Sequence, residues 1–359
     1  MTSEVVKNFI NENRERNAVS WSYIKSLKKH SGRNAMILFL SPIFFEFFTV
    51  FYAGNLLYIT TAVCVYWILI LLLIHERFVI DTSFKNLPFD FRHYLSNFPA
   101  SFSYFKYGFF TMLVTGLILF LVYVRYTWYE GMATLILIVG LIEITLLWNP
   151  VLHSIRKGSI ELESDAVISR LRLICNRLGL PEVTPRIAKA KELKIANAFC
   201  AGILRPIIYI TDFLYENVST DEAIALLIHE LVHLKFHDNF KRVILLVSVF
   251  TAIQAFILIS GLAYAGYIPI FAELVGVFPF AIIIGVFAIM FVIVPPSGTI
   301  WKGQELRADR LAARETGADD LSLGILKAHY LNLFPLEFAN RADRVHPPVI
   351  VRIDKIQNA

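Results

Sequence analysis

Three residues within five positions carry a recognisable chemistry: His229, Glu230 and His233 form an HExxH motif. On a helix, residues four apart lie on one face, so both imidazoles can point at a single ion. Zinc takes nitrogen and oxygen ligands in a tetrahedron, and a catalytic site keeps one position for water. Glu230 stands beside the first histidine and can accept a proton from that water as it attacks a carbonyl. An accidental HExxH is expected on the order of once in a hundred chains with this histidine content. The surrounding sequence supports the motif. Ser219 and Glu222 have capping-box spacing and open a helix at Thr220. That helix, Thr220 to about His237, carries apolar Ala225, Leu226, Leu227, Ile228, Leu231 and Val232. His237 continues the four-residue series, but one turn rises about 5.4 Å, so three histidines on one straight helix cannot share an ion. An interfacial or supporting histidine beside Asp238 is the expectation for it.

The elements that must position this helix begin with the bilayer. Of 359 residues, 56% are hydrophobic and only 18% are charged, with 30 Phe, a balance that points away from an ordinary soluble domain. Six stretches are long enough to span: Ala35 to Tyr52, Leu56 to Ile74, Tyr107 to Val124, Met132 to Trp148, Val243 to Ala265 and Ile268 to Val294. Lys and Arg crowd the segment before the first span, the loop from His75 to Lys106, Asn149 to Arg242 and the tail after Val294. The three hairpin tips hold one basic residue, Arg125. This asymmetry predicts that both termini and the active site are cytosolic. Trp21, Tyr23, Ile24 and Leu27 interleave with Lys25, Lys28 and Lys29, as in a basic positive flank or an amphipathic helix on the inner membrane surface. Glu46 and Glu143 lie within spans and are expected to face the bundle interior, a hydrated cavity or an interface.

The domain plan follows. Residues 1–34 are expected to form a cytosolic basic segment, 35–148 four transmembrane helices with a cytosolic loop at 75–106, and 149–242 the first part of a cytosolic peptidase domain that carries the zinc helix. A transmembrane hairpin, 243–294, separates it from the second part, 295–359. Asp165 to Leu178 has helical periodicity and stops at Gly179 with Pro181 beyond. Arg186 to Ala190, Ala196 to Ala201 and Ile207 to Ile210 are short, bounded by Pro or Gly, and predict strands. Cys64, Cys175 and Cys200 have neither CxxC spacing nor an even count, so no disulfide partner is expected. Nothing in the chain suggests a nucleic-acid partner, and its polar first 34 residues do not open as a cleavable signal peptide.

The chain resembles the HtpX and type I CAAX prenyl protease group of integral-membrane zinc metallopeptidases. Four segments carry the likeness: Asn197-Ala198-Phe199-Cys200-Ala201-Gly202, the zinc helix, Glu305-Leu306-Arg307-Ala308-Asp309, and His346-Pro347-Pro348 with Arg352. The resemblance implies a polytopic α-helical membrane protein with a cytosolic α+β zincin-like domain and one Zn2+ per chain. It implies that Glu305 is the third protein ligand and Asp309 its supporting neighbour. His346 and Arg352 would stabilise the oxyanion, and Asn197 with Ala198 would hold the substrate backbone on an edge strand. Elimination agrees on the third ligand: His237 and Asp238 lie too far along the zinc helix, and Asp309 has a shorter side chain than Glu305. Cys200 stands where the group has alanine, and six spans fit neither the four of HtpX-like members nor the seven of the prenyl proteases.

Val243 follows His233 by ten residues and Glu305 follows Val294 by eleven, so helical connections of about 15–17 Å would hold the metal near the inner membrane face. Peptides anchored in or next to the bilayer would reach it most easily, and the resemblance implies hydrolysis of membrane or membrane-anchored proteins, as in HtpX-like quality control or processing, in a prokaryotic inner membrane. A CAAX-type peptidase for lipidated or anchored peptides is the alternative. A signalling receptor with a peptidase domain would need an extracellular sensor, and the hairpin tips are only a few residues long. A structural protein with a decayed site is opposed by the intact Glu230.

Overall fold

The protein is described here by a computed structural model. It describes residues 3–16, 18–30, 56–88, 90–92, 94, 158–179, 182–201, 207–242, 244–245, 248, 300–335 and 347–358. Five of the six expected spans, with Glu46 and Glu143, lie outside the described residues except for the start of the fifth. The second falls on one continuous helix, Leu56–Lys85, which runs eleven residues past Ile74. Counting only described residues, no helix is long and apolar enough to cross a membrane.

The helices, numbered over the described residues, are α1 Glu4–Glu12, α2 over 18–30, α3 Leu56–Lys85, α4 Asp165–Leu178, α5 Asp212–Tyr215, α6 Thr220–Lys235, α7 over 300–316, α8 Ala318–Leu331 and α9 Val349–Gln357. The strands are β1 Ile160–Glu161, β2 Arg186–Ala188, β3 Ala198–Ala201 and β4 Ile207–Thr211. They form one sheet in the order β1-β2-β4-β3. β2 and β4 are parallel, and the two outer pairs are antiparallel. β3 is thus an edge strand, in register with β4 from Ala198 opposite Ile210 to Ala201 opposite Ile207.

α6 is the axis of the domain. Every residue from Glu222 to His229 is buried, as are Leu231, Val232 and His233. A helix that is buried on all sides needs cover all round, and β3, β4, α4 and α8 supply it. The capping box forms as its spacing predicts: Ser219 Oγ accepts from Glu222 N at 3.2 Å, and Glu222 Oε2 accepts from Ser219 N at 2.8 Å. The same buried carboxylate accepts from Lys327 Nζ of α8 at 2.7 Å, so its charge is compensated. α8 approaches so closely at Gly324 that a Cβ there would stand 3.1 Å from Leu226 Cγ and 3.3 Å from Glu222 O. α4 ends at Gly179 with φ 65°, the left-handed cap the sequence predicts.

The N-terminal segment joins the core that surrounds α6. Val6 of α1 is fully buried in the same core, with Phe9 and Ile10 packed against it. Tyr330 Oη donates to Asn13 O at 2.8 Å, and Ser3 N donates to Gln357 Oε1 at 3.0 Å. In α2 the residues Tyr23 and Ile24 are buried, while Trp21, Lys25, Lys28 and Lys29 are exposed. Tyr23 and Tyr94 both donate to the carboxylate of Asp81 on α3, at 2.6 and 2.7 Å, and Arg77 Nε donates to it at 3.0 Å. α2 therefore spends Tyr23 on the extension of α3.

Candidate active site

α6 and α7 meet with three donor groups converging. His229 Nε2 lies 3.2 Å from His233 Nε2 and 3.4 Å from Glu305 Oε2, and His233 Nε2 lies 3.3 Å from Glu305 Oε1. A tetrahedral ion with ligands at about 2.0–2.1 Å requires edges of about 3.3–3.4 Å between them. The triangle has that size before any ion is considered, and all three residues are buried. Two imidazoles and a carboxylate suit zinc, and they leave a fourth direction for water or substrate. His237 is absent from the cluster.

Each ligand is held from behind. Asp309 Oδ1 lies 3.0 Å from His229 Nδ1, an ion-pair distance outside the direction of a hydrogen bond. Asp309 is in turn gripped by Arg352, with Nε donating to Oδ2 at 2.8 Å and Nη2 to Oδ1 at 2.7 Å. His233 Nδ1 lies 2.9 Å from Asp238 Oδ2. Arg307 Nη2 donates to Asp238 Oδ1 and Oδ2 at 2.7 and 2.8 Å. Arg242 Nη2 donates to Glu305 Oε1 at 3.0 Å, and its Nε donates to Gln304 Oε1 at 3.0 Å. Thus three carboxylates, each with an arginine, surround two histidines.

The charges follow from these contacts. Burial alone would lower the His229 imidazole, but Asp309 and Glu305 outweigh it and hold it at about 10. A cation entering the cluster must displace that proton. His233 is likewise raised, against burial, by Asp238 and Glu305. Asp309 would be raised by burial, yet Arg352 holds it down at about 2, so it stays ionised. Desolvation raises Glu230, with the two histidines pulling the other way. A raised carboxyl is suited to taking and returning a proton near neutral pH. The Cys200 thiol is pushed up to about 12 by burial and the charge of Glu230, which keeps it protonated at neutral pH.

Glu230 is tied to the edge strand: its Oε2 accepts from the backbone N–H of Cys200 at 2.8 Å. Asn239 Nδ2 donates to Cys200 O at 2.9 Å. The backbone groups of Cys200 therefore point off the sheet towards the end of α6, and Ala198, two residues earlier, shares that edge. Asn197 is exposed just before β3, its backbone joined to Thr211 by bonds of 2.9 and 3.0 Å. Asn332 holds the approach to the strand, accepting from Ala196 N at 3.1 Å and donating to Ala196 O at 2.6 Å.

Of the residues singled out from sequence, His229, Glu230, His233, Glu305, Asp309 and Arg352 are brought together, with Ala198 on the adjoining strand and Asn197 just before it. His346 lies outside the described residues. Arg352 is found on Asp309, with Nε and Nη2 engaged there. Sequence reasoning missed Asp238, Arg307 and Arg242. The straight helix expected to run on to about His237 does not form: α6 ends at Lys235 and His237 takes φ 54°, which turns the chain back. The connection from His233 towards Val243 is correspondingly kinked.

No curated protein matches the chain. Among solved structures, the crystal structure of S. mikatae Ste24p is similar in fold, with a TM-score of 0.65 over 95% of this chain and 89% of that chain at 15% identity. The model of peptidase family M48 matches residues 161–359, which is more than half of the chain and includes every residue of the cluster. The chain therefore belongs to peptidase family M48 and is a metallopeptidase.

Proposed function

We propose that the protein is a membrane-embedded zinc endopeptidase that cleaves membrane or membrane-anchored proteins near the cytosolic face, in quality control or processing. The observation that carries the chemistry is the triangle of His229, His233 and Glu305, with edges of 3.2 to 3.4 Å, beside a Glu230 anchored to an edge strand. Bound there, one zinc per chain supplies a Lewis acid and lowers the pKa of a water. The substrate backbone pairs with the free edge of β3 at Ala198, extended and antiparallel, and the exposed side chain of Asn197 holds it alongside. Glu230 takes the proton of the attacking water as the carbon–oxygen bond forms. It returns that proton to the amide nitrogen as the carbon–nitrogen bond breaks, leaving a carboxylic acid and an amine, which part as carboxylate and ammonium once the acid's proton passes to the amine. Arg352, through the nitrogen not bound to Asp309, and His346 stabilise the oxyanion.

The membrane setting draws on the six apolar stretches and the distribution of Lys and Arg, and the likeness to Ste24p extends over the residues read as spans. The domain plan above and cytosolic termini are part of this reading. A Cys placed at Ser297 should react with an impermeant thiol reagent only after lysis, and one at Gly266 in intact cells; the reverse pattern overturns the topology. A CAAX-type peptidase of lipidated or anchored peptides is the second reading, and the fold likeness to Ste24p favours it. Glu230→Gln keeps the ligands and removes the base, so it should retain zinc, lose hydrolysis and hold substrates. Proteins co-purifying with this variant should be membrane or lipidated proteins that accumulate when the enzyme is inactive. Full hydrolysis by Glu230→Gln would contradict the mechanism.

A further inference from the structure

The Nε2 atoms of His229 and His233 lie 3.2 Å apart, but their Nδ1 partners arrive by different routes. Asp309 reaches His229 from the second ligand helix, α7. Asp238 reaches His233 from the same chain segment, five residues on. On a straight α-helix five residues turn through about 500°, which leaves Asp238 roughly 140° around the axis from His233. The chain does not continue straight. Phe236 caps α6, His237 adopts φ 54°, and helical bonding resumes with Lys241 N donating to His237 O at 3.0 Å. A left-handed residue at this point is what folds Asp238 back beneath the ring.

Asp238 is completely buried, and a buried carboxylate needs a compensating charge. Arg307 provides it by donating from one nitrogen to both oxygens, 2.7 and 2.8 Å away. Its guanidinium is stacked on the ring of Phe236 at 4.0 Å, the residue that caps α6. Arg307 also lies two residues from Glu305 on α7. The path from His233 through Asp238 and Arg307 therefore returns to the third ligand, joining the two ligand helices independently of any ion.

We infer that Asp238 and Arg307 are a positioning pair for His233, delivered by the left-handed turn at His237. The inference rests on the metallopeptidase reading of the site. Asp238 accepts the Nδ1 proton, which leaves the Nε2 lone pair free for the metal and stops the ring from flipping. Arg307 acts through Asp238 by keeping that carboxylate ionised and aimed. Neither residue touches substrate.

The test uses the full-length protein in detergent, with zinc affinity read by chelator competition and cobalt substitution read by its d–d absorption. Asp238→Asn should weaken zinc about 10- to 100-fold and alter the cobalt spectrum, because an amide can donate to Nδ1 and move the ring proton to Nε2. Arg307→Gln should weaken zinc in the same direction. Adding Arg307→Gln to Asp238→Asn should add little, because the hydrogen bonds of Arg307 that bear on His233 pass through Asp238. A residue with only a stability role would lower the melting temperature without moving the cobalt spectrum of the folded protein. Wild-type zinc affinity and spectrum in folded Asp238→Asn, or fully additive losses in the double variant, would overturn the pair while the wild-type protein still binds zinc. Should Asp238→Asn fail to fold, Arg307→Gln and Arg307→Lys carry the test, and unchanged affinity in both overturns it. A wild-type protein without zinc affinity defeats the site reading itself.

Discussion

Replacing Arg352 by Met isolates what a buried arginine contributes at this site. Arg352 and Asp309 are both buried and share two short hydrogen bonds, of 2.7 and 2.8 Å. Removing the guanidinium leaves the carboxylate without its countercharge, and breaking a buried pair in this way costs about 3–5 kcal/mol. For a domain of this size that corresponds to a fall of roughly 6–20 °C in melting temperature. The acid limb gives a second estimate. Asp309 is held at about 2 when folded against 3.8 in the unfolded chain, so it contributes about 2.5 kcal/mol at neutral pH. Because the folded value is depressed, that contribution is present above about pH 4 and is lost as pH falls through 2. Arg352→Met should abolish it. Adding Asp309→Asn to Arg352→Met removes the orphaned charge and should recover part of the loss. Differential scanning fluorimetry of the detergent-solubilised full-length protein reads all three variants. A single variant as stable as wild type, or a double variant no better than the single, would refute the reasoning.

Zinc affinity should rise with pH. His229, held at about 10, must lose a proton to bind, so between pH 6 and 8 affinity should increase about 100-fold from this group alone. Chelator competition checks it, and a flat profile contradicts it. The same raised value means that a protonated His229 stabilises the protein without bound zinc fully below its unfolded value of 6.5, and that this stability is lost as pH rises through 10. His237→Gly should keep the left-handed turn and bind zinc, whereas His237→Val should weaken zinc and cost about 1–2 kcal/mol of stability. Equal zinc contents and melting temperatures for the two would speak against the turn. Gly324→Val should force α8 from α6 and cost about 1–3 kcal/mol in a denaturant midpoint, without changing zinc content in the folded fraction.

The parts of this site that sequence revealed are those governed by local rules. The capping box at Ser219 and Glu222, the glycine stop at Gly179 and the four-residue spacing of the histidines each depend on neighbours within one turn, and each formed as expected. Strand positions were legible to within two residues, but the two-residue β1 carried no pattern that could be read. Asp238 was hidden because its role depends on one backbone angle at His237, a residue with little propensity to announce a left-handed turn. Arg307 and Arg242 were hidden because their partners are 69 and 63 residues away in sequence. The docking of α1 was missed for a related reason. Val6, Phe9 and Ile10 have helical spacing, but their charged neighbours made the segment read as a membrane flank.

The zinc content of purified full-length protein tests the central claim most directly, comparing wild type with Glu305→Ala by elemental analysis after dialysis. Two histidines on α6 and a carboxylate 3.3 to 3.4 Å from both make Glu305 the group that completes the ligand set. The wild type should hold one zinc per chain, and Glu305→Ala should lose both that zinc and peptidase activity. One retained equivalent of zinc in Glu305→Ala, with activity intact, would contradict it.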